Sequence, residues 1–338
     1  MFRVALDALG TDRAPEPEVQ GALQAVQAFP DLEVLLVGHR EVVGPHLKGT
    51  HHPRIHLIHA EQRVEMTDKP SVALKSKPRS SIAEGLRLLK EGQAHAFVSA
   101  GNTGAVMAFS LFVLGRVKGI KRPAIGAFFP TTQRPALVLD VGANAVVKPL
   151  HLYQFAWMGS LFYAHMFGED RPRVGLLSIG EEATKGNETV IEARKLMEQD
   201  TDLNFVGFVE GNDVLFARAD VVVTDGFTGN VMLKFGEGVV SFIARLVRAE
   251  IKRDPLALAG ALLVKGALNR VKKHIDYEEY GGSPLMGVNG VVMIAHGRSS
   301  ARAIMNALKH ARHLAEERVV ELVGEQIRRS AGEEGVTT

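Results

Sequence analysis

Cysteine is absent from the 338-residue sequence. The chain therefore has no disulfide, no thiolate zinc site and no cysteine nucleophile. Long apolar runs are missing too, since none approaches the roughly eighteen residues that a membrane-spanning helix needs. No secretory leader precedes the first apolar run, so we expect a cytoplasmic globular protein.

A surplus of one charge is also missing, because 40 Lys and Arg residues face 38 Asp and Glu residues and leave a formal net charge of +2. General nucleic-acid binders depend on an excess of cations, so this balance predicts no nucleic-acid partner. The spacing G-x-G-x-x-G does not follow the first apolar run, and in the loop 180–187 no Ser or Thr follows the lysine. These absences disfavour a dehydrogenase and a nucleotide triphosphatase, and we expect neither a cofactor nor a metal ion.

The sequence does contain short apolar runs that alternate with segments of helical period. This alternation is typical of βαβ units around a largely parallel sheet, with helices on both faces, and it predicts an α/β protein. We expect one domain over residues 1–329, a long helix over residues 299–328 and a frayed tail over residues 330–338. The predicted strands are residues 2–6, 33–37, 54–58, 96–99, 124–129, 136–141, 173–179, 204–209, 220–224 and 291–295.

Polar residues follow or finish six of these runs, and most of them stand beside a glycine. Ligands of open α/β sheets bind outside the carboxyl ends of the strands, where turns and helix N-termini point their N–H groups into one space. We therefore predict one shared anion site, built from the ends marked by Asp7, Ser99, Asp140, Ser178, Asp225 and His296.

Two strand–turn–helix junctions resemble each other, Gly101-Asn102-Thr103-Gly104 and residues 225–230. Each suits a phosphate cradle, but each also suits a simple helix cap. Lys234 follows Asn230 by one helical turn and could add a charge, although a surface lysine is the commoner outcome. Lys185 in its glycine-flanked turn is either a solvated loop lysine or a point charge for a phosphate or an oxyanion.

Residues 255–264 form an apolar stretch between cationic residues, within a helical hairpin expected over about residues 236–275. The stretch is too short to cross a bilayer. It predicts either a tip that contacts anionic lipid headgroups or a hairpin buried in a homodimer. The candidate contact residues for membrane or protein are Arg253, Leu258, Leu262, Lys265, Arg270, Lys272 and Lys273.

Several motifs in this order make the sequence similar to the PlsX family, the acyl-[acyl-carrier-protein]:phosphate acyltransferases. The first motif, residues 7–15, departs from the family pattern, where glycine is expected at Thr11 and asparagine at Arg13. The other motifs are Ser99-Ala100-Gly101-Asn102-Thr103-Gly104-Ala105, Asp140-Val141-Gly142-Ala143-Asn144, Lys185-Gly186-Asn187-Glu188, Asp225-Gly226-Phe227-Thr228-Gly229-Asn230, Tyr280-Gly281-Gly282-Ser283-Pro284-Leu285 and Ala295-His296-Gly297.

The resemblance implies a three-layer α/β/α sandwich with a mostly parallel mixed sheet, like that of isocitrate and isopropylmalate dehydrogenases, and a homodimer. It implies that inorganic phosphate attacks the thioester of acyl carrier protein, giving an acyl phosphate for phospholipid synthesis. Without cysteine, direct transfer to phosphate is the natural scheme. Further implied partners are the inner face of the plasma membrane and a membrane glycerol-3-phosphate acyltransferase.

The resemblance also singles out Lys185 and Asn230 as catalytic residues, one for the phosphate or oxyanion charge and the other as a donor to the oxyanion. His296 is a candidate proton shuttle, with a structural histidine as the alternative. The expected phosphate-binding residues are Gly101, Asn102, Thr103, Gly104, Asn144, Gly226 and Thr228.

Three other functions fit parts of the pattern. A phosphotransacetylase of the same fold would use acyl-CoA, and a β-decarboxylating dehydrogenase would need a compact cluster of aspartates for a divalent metal. A membrane-associated scaffold would bind the carrier protein without consuming its thioester.

Overall fold

An 11-stranded sheet forms the centre of the molecule in the computed structural model, which describes residues 1–49, 52–275, 279 and 281–334. The spatial order of the strands is β3-β2-β1-β4-β11-β10-β5-β6-β9-β7-β8. In chain order they are β1 (Phe2–Asp7), β2 (Leu32–Gly38), β3 (Ile55–His59), β4 (Ala96–Ser99), β5 (Ala124–Phe129), β6 (Ala136–Leu139), β7 (Val174–Leu177), β8 (Phe205–Val209), β9 (Val221–Val223), β10 (Ser283–Met286) and β11 (Val291–Ile294).

Helices cover both faces of this sheet, and a 3₁₀ turn spans Asp213–Phe216. The helices are α1 (Glu16–Ala28), α2 (Arg40–Leu47), α3 (Pro70–Ser76), α4 (Ser81–Lys90), α5 (Thr103–Val113), α6 (Pro149–Phe167), α7 (Glu188–Gln199), α8 (Gly226–Arg253), α9 (Pro255–Ile275), α10 (Ala301–Glu316) and α11 (Val319–Glu334). None of those in the described part of the chain is both long and apolar enough to cross a bilayer.

Alternation of side chains along the central strands sorts the core into two clusters. On β11, for example, Met293 packs on one face with α6, α10 and α11, and Ile294 packs on the other with α4 and α5. Successive strand residues point to opposite faces, so the apolar strands supply both clusters. The result is the expected three-layer α/β/α sandwich.

All ten predicted runs form strands, and one further strand, β10, was missed. Its Pro284 lacks an N–H group, and proline inside an apolar run counts against a strand. In the structure the pairing of β10 with β5 begins only at Leu285, so Pro284 removes no donor from that ladder.

The prediction of one helix over residues 299–328 is wrong, because α10 ends at Glu316 and α11 begins at Val319. Arg318 between them has a φ of 53°, in the left-handed region that ends helices. The break lets Val323 and Ile327 bury against α6. Helix α11 continues to Glu334, past the Ser330 from which a frayed tail was predicted, and residues 335–338 lie outside the described part.

The strand directions overturn the prediction of one shared edge for the polar strand ends. Seven of the ten strand pairs described are parallel, but β10 is antiparallel to both β11 and β5, and β6 is antiparallel to β5. Strands β1, β4 and β11 therefore end at one edge of the sheet, and β6, β7 and β9 end at the opposite edge. Asp7, Ser99 and His296 are thus separated from Asp140, Ser178 and Asp225.

Helices α8 and α9 form a hairpin that turns at Asp254, as the sequence predicted for this region. The first turns of α8 pack on β5 and β6, whereas the side chains beyond residue 237 are largely exposed. Large apolar side chains are among them, including Phe242 at 64% and Leu262 at 70% exposure.

Helix α8 packs closely against the sheet because Gly229 has no side chain. A Cβ atom there would overlap the carbonyl oxygen of Asp140 and lie 3.0 Å from Cγ2 of Thr224. Both contacts are with parts of the chain that cannot move independently of the sheet.

We expect Gly229→Ala to lower the free energy of unfolding by at least about 3 kcal/mol, because it overpacks a rigid contact. Gly238→Ala, on the same helix with no atom within 4 Å of its would-be Cβ, is the matched control. It should raise stability by about 0.5–1 kcal/mol through helix propensity. Urea unfolding measures both, and equal effects of the two changes would contradict this packing.

Candidate active site

A cavity of about 550 Å³ crosses one face of the sheet over β5, between the N-terminus of α5 and the first turns of α8. We call it the cross-sheet cavity. Its apolar floor is the face of β5 that carries Ile125 and Ala127, and Phe128 and Leu233 add to the apolar lining. Its polar lining residues include Asp12, Asn102, Thr103, Asn230, Lys234, Glu237, Ser283, His296 and Ser299.

At one end of this cavity, Asn102 caps helix α5. Its Oδ1 accepts the N–H of Ala105 at 3.0 Å, and its Nδ2 donates to the carbonyls of Glu65, Met66 and Asp68 at 3.0–3.3 Å. The side chain of Asn102 is therefore fully occupied by structural hydrogen bonds. The prediction that it binds phosphate does not fit this arrangement.

Thr103 and Gly104 form the first turn of α5 and line the same end of the cavity. Neither their N–H groups nor the Thr103 hydroxyl has a hydrogen-bond partner in the described structure. Helix N-termini with unpaired N–H groups favour anions. This turn is thus the part of the predicted phosphate-binding set that fits an anion, whereas Gly101 just before it lines the cavity with its N–H donated to Ser99 Oγ.

A buried carboxylate supports that turn from below. Ser99 Oγ donates to Asp7 Oδ2 at 2.7 Å and accepts the N–H of Gly101 at 3.1 Å. Burial raises the pKa of Asp7, although hydrogen bonds from Ser81, Ser99 and the Leu9 N–H oppose that rise. Asp7 therefore supports the Gly101 turn through Ser99, and it does not itself line the cavity.

A second buried carboxylate, Asp140, organises the loop after β6. It accepts the N–H groups of Ile125, Gly142, Ala143 and Asn144 at 2.7–3.2 Å, and also Nδ2 of Asn144 at 2.9 Å. Burial raises its pKa, and these hydrogen bonds counteract the rise. Asn144 Nδ2 donates as well to the carbonyl of Pro123 at 2.7 Å, so this side chain supports the loop and the phosphate-binding prediction for it does not fit.

The N-terminus of α8 packs directly onto the Asp140 loop. The N–H of Gly226 donates to the carbonyl of Asn144 at 2.8 Å, and the hydroxyl of Thr228 donates to the capping Asp225 at 2.7 Å. Gly226 is buried, and both residues have structural partners in place of a free donor. Asn230, one turn further, is exposed and faces the cross-sheet cavity.

A second cavity of about 370 Å³, the edge cavity, lies at the opposite edge of the sheet, where β7 and β9 end. Ser178, Gly186, Asn187, Asp225 and Thr228 line it. Lys185 is exposed beside it, lines neither cavity and makes no ion pair with the described residues. Within one chain, the two predicted catalytic residues Lys185 and Asn230 are therefore not in one cavity.

His296 lies in the cross-sheet cavity, after β11. Its Nδ1 accepts the N–H of Arg298 at 3.1 Å, which places the proton of the neutral ring on Nε2. The neutral ring is then a hydrogen-bond donor through Nε2. Among the residues that the structure describes, no three His, Asp or Glu side chains are placed to hold a metal ion.

Sequence reasoning missed several lining residues, namely Asp12, Glu237, Ser299 and the apolar floor. Ile125 and Ala127 show the period of two that places alternate strand residues on one face, so their common face was predictable. This face borders a cavity only because of where α8 packs. The local sequence pattern does not predict that packing position.

The predicted hairpin contacts Arg253, Leu258, Leu262, Lys265 and Arg270 are exposed on α8 and α9. They lie on the part of the hairpin that does not pack against the sheet. The side chains of Lys272 and Lys273, and Tyr280 of the family motif, lie outside the described residues.

The architecture places the chain in a class of three-layer α/β/α folds with a mixed sheet. A phosphotransacetylase from Streptococcus pyogenes aligns over 93% of this chain and 94% of its own, with a TM-score of 0.63 and 17% identity. The 4-hydroxythreonine-4-phosphate dehydrogenase from Klebsiella pneumoniae aligns over 93% of this chain and 99% of its own, with a TM-score of 0.55 and 13% identity. At these identities the likeness establishes the fold alone.

The chain belongs to the fatty acid synthesis protein family, whose sequence profile matches residues 2–322. A phosphate acyltransferase from Heliobacterium modesticaldum is 48% identical over 329 residues, which cover 96% of this chain and 98% of the relative. A second phosphate acyltransferase, from Halothermothrix orenii, is 44% identical with the same coverage. The resemblance to the PlsX family is confirmed, and the chain is an acyltransferase of that family.

The loop of the first motif, where the sequence departs from the family pattern, is held by a buried glutamate. Glu18 accepts the N–H of Thr11 at 2.7 Å and its hydroxyl at 3.0 Å. Burial raises the pKa of Glu18 to about 7, and the nearby Asp7 adds to the rise. The neighbouring Asp12 lines the cross-sheet cavity, so Glu18 supports one of its walls.

Glu18 makes stability depend on pH. Its folded-state pKa is above its ordinary value of 4.5, so its stabilising effect is complete below pH 4.5 and is lost as pH rises through about 7. In the wild type, we expect the free energy of unfolding to fall by about 3 kcal/mol over this range because of Glu18. In Glu18→Gln this part of the pH dependence should be absent. Urea unfolding at pH 4, 6 and 8 measures the difference from the wild type. Glu16→Gln, exposed on the same helix, is the control, and an equal response of both variants would contradict the assignment.

Proposed function

We propose that this protein transfers a long acyl chain from the thioester of acyl carrier protein to inorganic phosphate, as the step that feeds glycerol-3-phosphate acylation. Two kinds of evidence support the proposal. Relatives at 44–48% identity over nearly the whole chain bear the name phosphate acyltransferase. The cross-sheet cavity combines unpaired hydrogen-bond donors with an apolar floor, as an acyl thioester and phosphate together require.

The observation that carries the proposal is the position of α5 opposite α8. The unpaired N–H groups of Thr103 and Gly104 lie on one side of the cavity, and the amide of Asn230 lies on the other. Preorganised donors of this kind stabilise anions at little reorganisation cost. We assign phosphate binding to the α5 turn and donation to the thioester oxygen to Asn230.

The reaction needs no covalent enzyme intermediate. A phosphate oxygen attacks the thioester carbonyl carbon, negative charge develops on the carbonyl oxygen, and the bond from carbon to sulfur then breaks. The products are acyl phosphate and the carrier thiolate, which takes up a proton. Phosphate is already an anion at neutral pH, so the protein's task is orientation and charge stabilisation. His296, which lines the cavity, is the candidate proton shuttle for the departing thiolate.

We assign the second charge-stabilising role to Lys185. It carries an ammonium group that no described acidic residue neutralises, on a turn beside the edge cavity. Its distance from the cross-sheet cavity means that its action needs a movement of the turn or a second copy of the chain.

We further propose a homodimer and a membrane contact for the α8–α9 hairpin. Helix α8 exposes Phe235, Phe242 and Leu246 along its length, an apolar surface that a second copy would cover. The tip exposes Leu256, Leu262 and Leu263 between Arg253 and Lys265, a combination suited to an anionic lipid surface. The same cations could receive the acidic carrier protein.

We expect Asn230→Ala to lower kcat on the order of a hundredfold, because it removes one donor to the developing oxyanion. We expect Lys185→Ala to lower turnover as well. The measurement is phosphate-dependent formation of acyl phosphate from long-chain acyl carrier protein, with acyl-CoA and with NAD plus hydroxy acids as alternative substrates.

Asn187→Ser, which replaces one good helix-capping residue by another beside the edge cavity, is the folding control for these variants. Wild-type turnover by folded Asn230→Ala would overturn the role of that residue. Activity with acyl-CoA but not with acyl carrier protein would favour a phosphotransacetylase.

The membrane contact has its own test. We expect Leu258→Glu with Leu262→Glu to abolish flotation with vesicles of phosphatidylglycerol and phosphatidylcholine, because charge at the tip opposes insertion. Turnover with soluble acyl carrier protein should persist. Reversal of Lys265 and Arg270 to glutamate separates the alternatives, since loss of carrier binding with flotation intact would assign this surface to the carrier protein.

A further inference from the structure

We propose that Lys234 is the cation that binds phosphate in the cross-sheet cavity and that Glu237 competes with phosphate for it. The inference rests on the proposed function and names a residue of that site. Both residues line the cavity. Neither stands in the Asp225–Asn230 motif that carries the family resemblance.

Lys234 is singled out by the charged side chains that line the cavity. Among the described residues that line the cavity, it is the one lysine or arginine, and Lys185 is not among them. The carboxylates of Asp12 and Glu237 line the same space. A phosphate dianion that enters this cavity therefore has one ammonium group to meet.

The geometry of α8 brings Lys234 to the same ligand as Asn230. The two residues are four apart, so they lie on one face of the helix with their Cα atoms about 6 Å apart along its axis. Asn230 lies near Gly142 at one end of β5, and a Cβ at Gly236 would lie 3.9 Å from Phe129 at the other end. Helix α8 thus runs along β5 and carries Lys234 toward the edge at which α5 begins.

In the structure Lys234 Nζ donates to Glu237 Oε2 at 2.9 Å. The side chains are 56% and 42% exposed, and exposed pairs spaced i,i+3 contribute little because water screens them. A phosphate oxygen can therefore replace the Glu237 carboxylate as the partner of Lys234. Glu237 would then lower the affinity for phosphate, so removing its charge should have the opposite effect to removing Lys234.

The test compares steady-state kinetics and phosphate-induced stabilisation in Lys234→Ala, Lys234→Arg and Glu237→Gln. We expect Lys234→Ala to raise the KM for phosphate about tenfold, as expected for loss of a charged hydrogen bond, with little change in the KM for the acyl donor. Lys234→Arg should recover most of the affinity. Glu237→Gln should lower the KM for phosphate about twofold.

Melting temperature with and without inorganic phosphate gives a readout besides activity, and in Lys234→Ala about ten times more phosphate should be needed for the same rise. Lys195 and Glu192 on α7 form an exposed pair of the same spacing away from both cavities, so Lys195→Ala and Glu192→Gln are matched controls. An unchanged phosphate KM in Lys234→Ala, or an equal shift in Lys195→Ala, would overturn the inference. Absence of acyl phosphate formation by the wild type would instead overturn the proposed function, and the inference with it.

Discussion

The reversal of strand direction in the middle of the sheet is the constraint on which the rest of the molecule depends. Strand β10 enters between β11 and β5 antiparallel to both, and β5 and β6 are antiparallel to each other. Helices that follow parallel strands begin at the carboxyl edge, so α5 after β4 and α8 after β9 begin at opposite edges. They meet over the face of β5, which makes the site a cavity across the sheet and not a crevice along one edge.

The position of α8 depends in turn on a buried carboxylate. Burying Asp140 is unfavourable unless its oxygens are hydrogen-bonded, and five N–H donors satisfy this requirement. Those hydrogen bonds fix the loop after β6. Helix α8 packs against this loop at Gly226 and Gly229, where a side chain would not fit. The orientation of Asn230 and Lys234 toward the cavity is therefore set by groups that do not line it.

Much of the fold was predictable from local pattern, because a buried strand reads as a short apolar run. The ten predicted strands were found for this reason, whereas Pro284 hid β10. The reversal that separates the polar strand ends into two groups lies between β5 and β6, which were both predicted as strands but not as an antiparallel pair. Among the predicted site residues, Asn230, Thr103 and Gly104 line the cross-sheet cavity. Sequence reasoning could not distinguish free donors from structural ones: the amides of Asn102 and Asn144 have partners that only the packed chain supplies.

The charge of the cavity bears on which acyl donor it suits. Its described lining contains one ammonium group, on Lys234, against the carboxylates of Asp12 and Glu237, so it has no surplus of positive charge. A single phosphate can be held by one cation and the N–H groups of a helix end. The several phosphates of a nucleotide carrier would need further cations, which this lining does not offer. In a chain with a net charge of +2, we propose that the exposed cations of the α8–α9 hairpin receive an acidic protein carrier, whose thioester and acyl chain enter the cavity.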